Sequence, residues 1–433
     1  MSIGIDDYRK MLIPPLTEEG FASFLEALSQ KPVKGFSYDP RRIQPTSLVE
    51  DIPDISPDYE MSGYAIYPYG TFLSSNPLYL SGAIYPMDRA AYRVSWLLSK
   101  CLKEIERPWI CDLCAAPGGK TIALAHLIEP GLILANDIDR RRAGILSTNL
   151  ERAGTNNSIV TCLDPIRLLP AASKTFDAVI LDAPCSGSGM SRKNESVEED
   201  WSEQKVQRCS SIQRNLIEVA SQLVREGGFL CYSTCSYSRK ENEEIVGSLL
   251  EKHSDFEQIK VDALRSIEGI DSLGLRFIPG IHLGEGQYVC ILKRTGNSIR
   301  ARTCLQHTIE LSMKPFPAVR YRDIDWIISE CPEWVASLSP LKIGYRVQSN
   351  PKNSLCQYDW SLSKLEDAPF KRLELSRDET ISYFRGQDLR SSRLLEGTRG
   401  LVILTYKGFS LGFGDRQVRR IRNLLPKGLR VKG

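Results

Sequence analysis

Five apolar runs of strand length, most of them separated by helical stretches, dominate the middle of the chain. They read PWICDLC, GLILANDID, SIVTCLD, FDAVILDAP and GGFLCYSTC and begin near residues 108, 131, 158, 176 and 228. This spacing is typical of a parallel sheet in which a helix makes each crossover. The sequence therefore predicts an α/β fold built on a doubly wound sheet.

Glycines and apolar spacing set the expected bounds of two helices. Gly154 closes a helix over residues 140–152, and the pair Gly227-Gly228 stops a helix over residues 201–226. The apolar face of the second helix carries Val206, Cys209, Ile212, Leu216, Val219 and Leu223. The segment QYVCILKR, from residue 287, predicts one more strand.

The polar residues that end these runs form the candidate site. Ligands of doubly wound sheets bind at the carboxyl ends of the strands, so the last residues of each run matter most. Those residues are Asp112, Asp137, Asp164, Asp182 and Cys235. A single aspartate at a strand end often only caps the next helix, so the prediction depends on the group.

The turn after the first run, CAAPGGKT at residues 114–121, ends in the letters of a phosphate-binding loop. Such a loop needs a glycine five residues before Gly119, where this chain has Cys114, and Pro117 removes an amide from the cradle. The turn also lacks the G-x-G-x-x-G pattern of a dinucleotide site. What it offers is a tight entry into a helix N-terminus beside Lys120, which suits a carboxylate better than a triphosphate.

Two acids complete the description of a ligand for this turn. Asp137 follows the second run and suits ribose hydroxyls, and Asp164 follows the third run and suits an adenine amino group. An amino acid joined to an adenosine is S-adenosylmethionine, which is the predicted cofactor. The predicted cofactor-binding residues are Cys114, Ala115, Ala116, Pro117, Gly118, Gly119, Lys120, Asp137 and Asp164.

Two cysteines, Cys185 in LDAPCSGSGM and Cys235 in CYSTCSYS, end adjacent apolar runs. A thiolate that adds to carbon 6 of cytosine makes carbon 5 nucleophilic enough to take a methyl group from a sulfonium. Positive charge lowers the pKa of a thiol, and the candidates for that charge are Arg192, Lys193 and the sulfonium itself. Spacing alone does not rank the two thiols. The cysteines expected to be structural are Cys101, Cys162, Cys209, Cys290, Cys304, Cys331 and Cys356.

A zinc site is the main alternative for the cysteines. Cys111 and Cys114 have zinc-knuckle spacing, and Cys231 with Cys235 would complete four ligands. Successive side chains at a strand end point to different faces, however, and none of the four histidines lies beside these motifs. We therefore predict neither a metal nor a histidine-based catalytic set.

Charge and hydropathy bear on location and partners. No apolar run reaches 18 residues and no charged-then-apolar leader is found, so we expect a cytoplasmic protein with reduced thiols and no membrane contact. Residues 399–433 contain nine Lys or Arg and one acid, a charge of +8, against −5 for the rest of the chain. Two predicted strands there, GLVILTY and FSLGFGD joined by Lys407-Gly408, indicate a folded basic module that binds nucleic acid.

Three motifs resemble those of the Sun-type RNA 5-methylcytosine methyltransferases. DLCAAPGGKT is similar to the cofactor loop of that family, LDAPCSGSGMSRKNESVEEDW to its Pro-Cys motif and YSTCSYSRKENEEIV to its Thr-Cys motif. The resemblance spans roughly residues 80 to 295 and is closest to the bacterial branch that modifies small-subunit ribosomal RNA. LSRDETISYFRGQDL and the basic strands after it are similar to the PUA-like ending of that branch.

The resemblance implies a Rossmann-like methyltransferase sheet and a division of roles between the cysteines. Cys235 would be the nucleophile and Cys185 would help release the product. Asp182 would lie between the cofactor and the cytosine, so it is predicted both as a catalytic and as a cofactor-binding residue. Arg192 and Lys193, which follow Cys185 within the Pro-Cys motif, are the predicted substrate-binding cations. The implied reaction is methyl transfer to carbon 5 of cytosine in RNA, with 16S ribosomal RNA or the 30S subunit as substrate.

Four regions are expected along a monomeric chain: 1–80, a small α+β RNA-binding and substrate-positioning region; 81–296, the methyltransferase domain; 297–370, a linker or intermediate domain; and 371–433, a basic PUA-like module. Two other functions are kept open. One is a cytosine-5 methyltransferase acting on tRNA or DNA with Cys185 as nucleophile, and the other is a non-catalytic RNA-binding ribosome-assembly factor.

Overall fold

The computed structural model describes residues 3–13, 16–155, 157–193, 201–260, 267–268, 272–298, 304, 306–311, 314–348 and 358–431. These residues form one large central sheet of ten strands and three sheets of four strands. Cys356, Lys432 and residues 194–200 of the Pro-Cys motif lie outside the described residues. No helix within the described ranges has the length and apolar character needed to cross a bilayer.

The N-terminal region is a small α+β unit. Its elements are α1 (Ile5–Leu12), α2 (Glu18–Leu28), β1 (Lys34–Tyr38), β2 (Ser56–Pro57), β3 (Tyr64–Tyr67), α3 (Pro77–Ser81) and β4 (Ile84–Pro86). The strands follow the order β2-β3-β1-β4, and Phe36 pairs with Pro86 across the β1–β4 contact. The sheet of this region therefore reaches Pro86, beyond the boundary expected at residue 80.

The middle of the chain forms the doubly wound sheet that the sequence predicts. Its elements are α4 (Arg89–Cys101), β5 (Trp109–Asp112), α5 (Gly119–Leu127), β6 (Leu132–Asn136), α6 (Arg140–Ala153), β7 (Ser158–Thr161), α7 (Leu169–Ala172), β8 (Phe176–Asp182), α8 (Glu203–Leu223), β9 (Val224–Thr234), α9 (Glu243–Lys252), β10 (Phe256–Gln258), β11 (Ile267–Glu268), β12 (Leu275–Phe277) and β13 (Gln287–Arg294). The order β13-β9-β8-β5-β6-β7 makes the five predicted strands parallel neighbours, with β13 antiparallel to β9. Because all five carboxyl ends lie along one edge, the polar residues that end these strands share that edge.

Residues at the helix ends explain the bounds of α6 but predict the wrong end for α8. The Asp139 side chain caps α6 by accepting a hydrogen bond from the Arg142 amide, and Gly154, at a φ of 70°, ends it as predicted. Helix α8, expected over 201–226, ends at Leu223 instead, because Gly227 lies inside strand β9 at a φ of 77°. Ile212, expected on the buried face of α8, is 40% exposed.

The C-terminal part contains two more sheets. Its elements are β14 (His307–Leu311), β15 (Lys314–Tyr321), β16 (Ile324–Ile327), β17 (Lys342–Ile343), β18 (Tyr345–Arg346), β19 (Lys371–Glu374), α10 (Arg377–Phe384), α11 (Ser392–Leu395), β20 (Gly400–Tyr406), β21 (Phe409–Arg416) and β22 (Ile421–Asn423). Strands β14, β15, β16 and β18 form a sheet inside the segment expected as a linker, and β17 joins the central sheet beside β7. The predicted hairpin of β20 and β21, joined by Lys407 and Gly408, is present.

The N-terminal sheet and the C-terminal module share a hydrophobic core. Phe36 and Tyr38 of β1 belong to the same buried cluster as Tyr383 of α10 and Leu404 of β20. An ion pair also joins the two regions, because Lys407 Nζ lies 2.9 Å from a carboxylate oxygen of Asp51. The two regions that the sequence assigned to RNA binding therefore pack directly against each other.

Candidate active site

An ion pair connects the glycine turn at residues 114–120 to the end of strand β8. Lys120 Nζ lies 2.7 Å from Asp182 Oδ2, and Ser233 Oγ donates to Asp182 Oδ1 at 2.7 Å. Burial alone would lower the pKa of Lys120, but Asp182, together with charge on Cys235, raises it above the usual lysine value. Lys120 therefore remains an ammonium paired with Asp182.

Helix α6 holds the turn at residues 114–120 in place. Arg142 Nη2 donates to the Ala116 carbonyl and Asn149 Nδ2 to the Pro117 carbonyl, both at 2.8 Å. Gly118 is the N-cap residue of helix α5 and has a φ of 109°, and a Cβ there would lie 3.1 Å from Leu146 Cδ1. The turn therefore needs glycine at Gly118 for its conformation, as the sequence predicts.

The two acids assigned to the adenosine have different surroundings. Asp137 is 2% exposed and accepts a hydrogen bond from the Asp139 amide through Oδ1. Its Oδ2 lies 3.2 Å from Arg142 Nη2 but has no hydrogen-bond partner among the described residues. Asp164 is exposed and accepts from the Ile166 amide at 3.2 Å, as a residue that caps a short helix does.

Asn136, which sequence reasoning passed over, joins three strand ends. Its side chain is fully buried and donates to the carbonyls of Leu113 and Leu163. Its oxygen accepts from Thr161 Oγ1 at 2.8 Å and from the Leu163 amide. Sequence reasoning also missed Arg142. An asparagine just before Asp137 and an arginine in a helix that begins with three arginines are both common features, so neither is distinctive in a single sequence.

Cys185 and Cys235 lie side by side at the ends of the two neighbouring strands. Their sulfur atoms are 3.0 Å apart, and both side chains are half-buried. The hydrogen bond to Cys235 is the main cause that raises the pKa of Cys185 well above its usual value, and burial and the charge of Glu241 act in the same direction. Either sulfur can be the donor in this contact, and the raised pKa favours the protonated form of Cys185.

The two cations predicted to bind substrate, Arg192 and Lys193, form ion pairs with other residues of the protein. The Arg192 side chain is 6% exposed, pairs with Glu285 at 3.0 Å and donates to the carbonyls of Ala27 and Gly284. Lys193 Nζ pairs with Asp88 at 3.0 Å. Both cations therefore brace the loop after the Pro-Cys motif, and the nearby cation is Lys120 instead.

The four thiols weighed as zinc ligands do not converge. Cys111 is buried in the apolar layer on one face of the central sheet, and Cys231 is buried in the layer on the other face. Of the cysteines expected to be structural, Cys209, Cys290 and Cys331 are buried. Cys101, Cys162 and Cys304 are half-buried.

Asp112 ends strand β5 at the floor of this site. It is 1% exposed, and its Oδ2 accepts from Thr121 Oγ1 at 2.6 Å. Burial is the main cause that raises the pKa of Asp112 to about 7, above the usual 3.8. The native protein therefore holds a proton at pH values where an unfolded aspartate has lost it.

This raised pKa predicts that stability falls as pH rises from about 4 to about 7, by up to roughly 4 kcal/mol. The Asp112→Asn variant keeps the acceptor for Thr121 and cannot ionise. Between pH 5 and pH 8 its free energy of unfolding should fall by about 1 to 3 kcal/mol less than that of the unaltered protein. Urea unfolding at both pH values measures this difference, and equal falls would show that Asp112 is not the cause.

A doubly wound sheet that carries a glycine turn after its first strand and acids at the next two strand ends defines a class, the S-adenosylmethionine-dependent methyltransferases. Residues 99–293 match the family described as "16S rRNA methyltransferase RsmB/F", and residues 370–431 match the "Methyltransferase RsmF PUA domain". The chain belongs to this family of RNA methyltransferases, and S-adenosylmethionine is its cofactor.

Two curated relatives and one solved structure illustrate the similarity. The "Ribosomal RNA small subunit methyltransferase F" of Erwinia tasmaniensis is 28% identical over 356 residues, which cover 74% of this chain and 73% of the relative. The protein of the same name from Vibrio parahaemolyticus is 29% identical over 357 residues, 74% of each chain. The crystal structure of NSun6 from Pyrococcus horikoshii shares the fold, with a TM-score of 0.58, 20% identity and coverage of 68% of this chain and 98% of that one.

Proposed function

We propose that this protein transfers a methyl group from S-adenosylmethionine to carbon 5 of cytosine in 16S ribosomal RNA, through a covalent bond between Cys235 and the base. The observation that carries the proposal is the pair of sulfur atoms 3.0 Å apart, next to the ion pair of Lys120 with Asp182. A protein that only bound a cytosine without reacting with it would not need two thiols in contact beside this ion pair.

The residues of the cleft fit the cofactor. The buried Oδ2 of Asp137, which has no hydrogen-bond partner among the described residues, would accept from a ribose hydroxyl, and the exposed Asp164 would accept from an adenine amino group. The amides after Gly118 begin a helix, where a carboxylate is favoured. When bound, the cofactor supplies an electrophilic methyl group on a sulfonium. Lys120 adds positive charge between this turn and Asp182.

The cysteines carry the covalent chemistry. The Cys235 thiolate forms a bond to carbon 6 of cytosine, which moves an electron pair of the ring to carbon 5. After methylation the proton on carbon 5 leaves to a base, the bond from carbon 6 to sulfur breaks, and its electrons return to Cys235 as the ring double bond re-forms. Asp182, at the end of β8, orients the base beside the cofactor.

Charge distinguishes the roles of the two thiols. The Lys120 ammonium interacts with Cys235, whereas the charged neighbours of Cys185 are the carboxylates Glu241 and Asp182. Cys185 therefore favours its protonated form and donates to Cys235, so we assign the nucleophile to Cys235. Cys185 takes part in the second half of the reaction, in which the base is released.

The proposed substrate, ribosomal RNA, is the one that the names of the relatives give. Of the basic residues in the C-terminal module, Lys407 pairs with Asp51, Arg420 pairs with Asp388 and Arg416 is 1% exposed. Arg399, Arg419 and Lys427 are exposed and Arg422 is half-buried, and none of these four forms an ion pair with another described residue. We propose that these four contact RNA phosphates, and that the enzyme acts as a monomer in the cytoplasm.

Nucleotide-resolution bisulfite mapping tests the proposed function. Small-subunit ribosomal RNA, tRNA and DNA would each be incubated with the protein and S-adenosylmethionine before mapping. A new protected cytosine in the ribosomal RNA supports the proposal. Protected cytosines only in tRNA or DNA, or methylation at another base atom, would contradict it.

Two arginines of the C-terminal module that form no ion pair among the described residues should set the salt dependence of RNA binding. Replacing both Arg419 and Arg422 with alanine is expected to weaken RNA binding and to reduce the slope of log affinity against log salt by about 1 to 2. Filter binding at several salt concentrations measures this slope. The matched control is Lys103→Ala, an exposed cation on the methyltransferase domain, which should leave the slope unchanged. Equal slopes for all proteins would place the RNA elsewhere.

A further inference from the structure

A buried carboxylate lies beneath the two thiols. Glu241 has no exposed surface, and no basic side chain among the described residues forms an ion pair with it. Its oxygens instead accept hydrogen bonds from the Ser186 amide at 2.8 Å, from Ser186 Oγ and Ser236 Oγ at 2.5 Å, and from Gln213 Nε2 at 3.2 Å. A buried carboxylate without a cation is costly unless hydrogen bonds satisfy it, and these four do so.

The partners of Glu241 connect it to both cysteines. Ser186 directly follows Cys185, and Ser236 directly follows Cys235. One carboxylate therefore holds the residue after each thiol, although the two loops are 50 positions apart in sequence. Further bonds tie the same loops together, since the Gly189 amide donates to the Cys235 carbonyl at 2.8 Å.

A carboxylate can accept all four of these hydrogen bonds at once, because both of its oxygens are acceptors. Both serine hydroxyls, one amide and one side-chain NH₂ all point donors at the same two oxygens. A neutral glutamine would place an NH₂ group where one oxygen now accepts, so the hydrogen bonds to that atom would be either reversed in direction or lost. The Glu241→Gln change is therefore nearly equal in volume but not in hydrogen bonding.

We propose that Glu241 is a positioning residue that fixes the spacing of the two thiols and thereby sets the rate of product release. This inference rests on the proposed function. Only the sulfur of Cys235 is needed to form the bond to carbon 6, whereas product release also involves Cys185. A change in the distance between the two sulfur atoms should therefore slow release more than it slows bond formation. Displacements of about 1 Å at a reacting centre can cost on the order of a hundredfold in rate.

The test separates formation of the covalent adduct from its release. Ribosomal RNA that contains 5-fluorocytidine traps the adduct, because fluorine cannot leave as the proton does, so trapping reports formation. Turnover on ordinary RNA reports formation and release together. For Glu241→Gln we expect turnover to fall by about tenfold or more, trapping to fall by less than about threefold, and the dissociation constant for S-adenosylmethionine to remain within about twofold.

The matched control is Asp177→Asn, which converts another buried carboxylate to an amide. Asp177 is 2% exposed at the opposite end of β8, where it accepts from the Trp109 amide and from Arg225 Nε, both at 2.6 Å. This variant should lower Tm without changing the ratio of trapping to turnover. If Glu241→Gln fails to fold, Ser236→Ala, which removes one of the four donors, should shift the ratio in the same direction by a smaller factor.

Each outcome decides one of the two proposals. A trapping-to-turnover ratio that stays unchanged in Glu241→Gln, or in Ser236→Ala when the first variant does not fold, overturns the role of Glu241. A ratio that rises equally in Asp177→Asn overturns it too, because general loosening would then explain the effect. If the unaltered protein forms no trapped adduct, the proposed covalent mechanism itself fails.

Discussion

Cys235→Ala is expected to lose methyl transfer to RNA by at least about a thousandfold, equivalent to roughly 4 kcal/mol of transition-state stabilisation. Without the bond from sulfur to carbon 6, carbon 5 of cytosine is too weak a nucleophile to take the methyl group. Binding of S-adenosylmethionine should remain, because the turn at residues 114–120 is held by helix α6 rather than by the cysteine loops. Transfer of tritiated methyl groups and calorimetry measure the two properties.

The control for this substitution is Cys101→Ala. Cys101 is a half-buried thiol at the end of α4, and its sulfur lies 3.7 Å from the Leu97 carbonyl of its own helix. It should keep full activity, which excludes a general effect of losing a thiol. Substantial activity in Cys235→Ala would remove Cys235 from the chemistry and favour the alternative in which Cys185 attacks.

Cys185→Ala is expected to stop turnover while covalent complexes of protein and RNA accumulate. The nucleophile and its neighbour Lys120 remain, so the bond to carbon 6 still forms, but the release that involves Cys185 fails. A band that migrates above the free protein on a denaturing gel, and that disappears after RNase treatment, measures the complex. The double variant Cys185→Ala with Cys235→Ala should show no such band.

The opposite pattern would reverse the assignment. If Cys235→Ala accumulates the complex and Cys185→Ala does not, Cys185 is the nucleophile and the charge argument is wrong. A non-catalytic RNA-binding protein would show no complex in either variant, and it would not respond to removal of either thiol.

The edge of the sheet could be predicted from the sequence because strand ends are a local property. Apolar runs stop where Asp112 and Asp182 stand, and parallel strands bring their carboxyl ends together. The glycine turn and the hairpin at Lys407-Gly408 are equally local, since they depend on residues next to each other. The roles of the two cysteines, in contrast, came from the family resemblance and remain predictions.

The features that the sequence did not predict depend on partners that are distant along the chain. Arg192 looked like an exposed cation near RNA, but its partner Glu285 lies 93 positions away. Glu241 lies in the polar stretch SRKENEE, which resembles an exposed segment, but it has no exposed surface and accepts hydrogen bonds from Ser186 and Gln213. No local pattern reports such pairings. The sequence also placed the end of helix α8 too late, because Gly227 lies inside strand β9 and does not terminate the helix.

Mass spectrometry of the trapped adduct tests the central claim most directly. The protein would be reacted with S-adenosylmethionine and RNA containing 5-fluorocytidine, then digested with RNase and trypsin. Cleavage after Arg225 and Arg239 yields the peptide EGGFLCYSTCSYSR, and the peptide with Cys185 begins after Lys174. We predict a methylated fluorocytidine nucleotide on the first peptide, localised to Cys235 by fragmentation. The same mass on Cys185, or no modified peptide, would contradict the account.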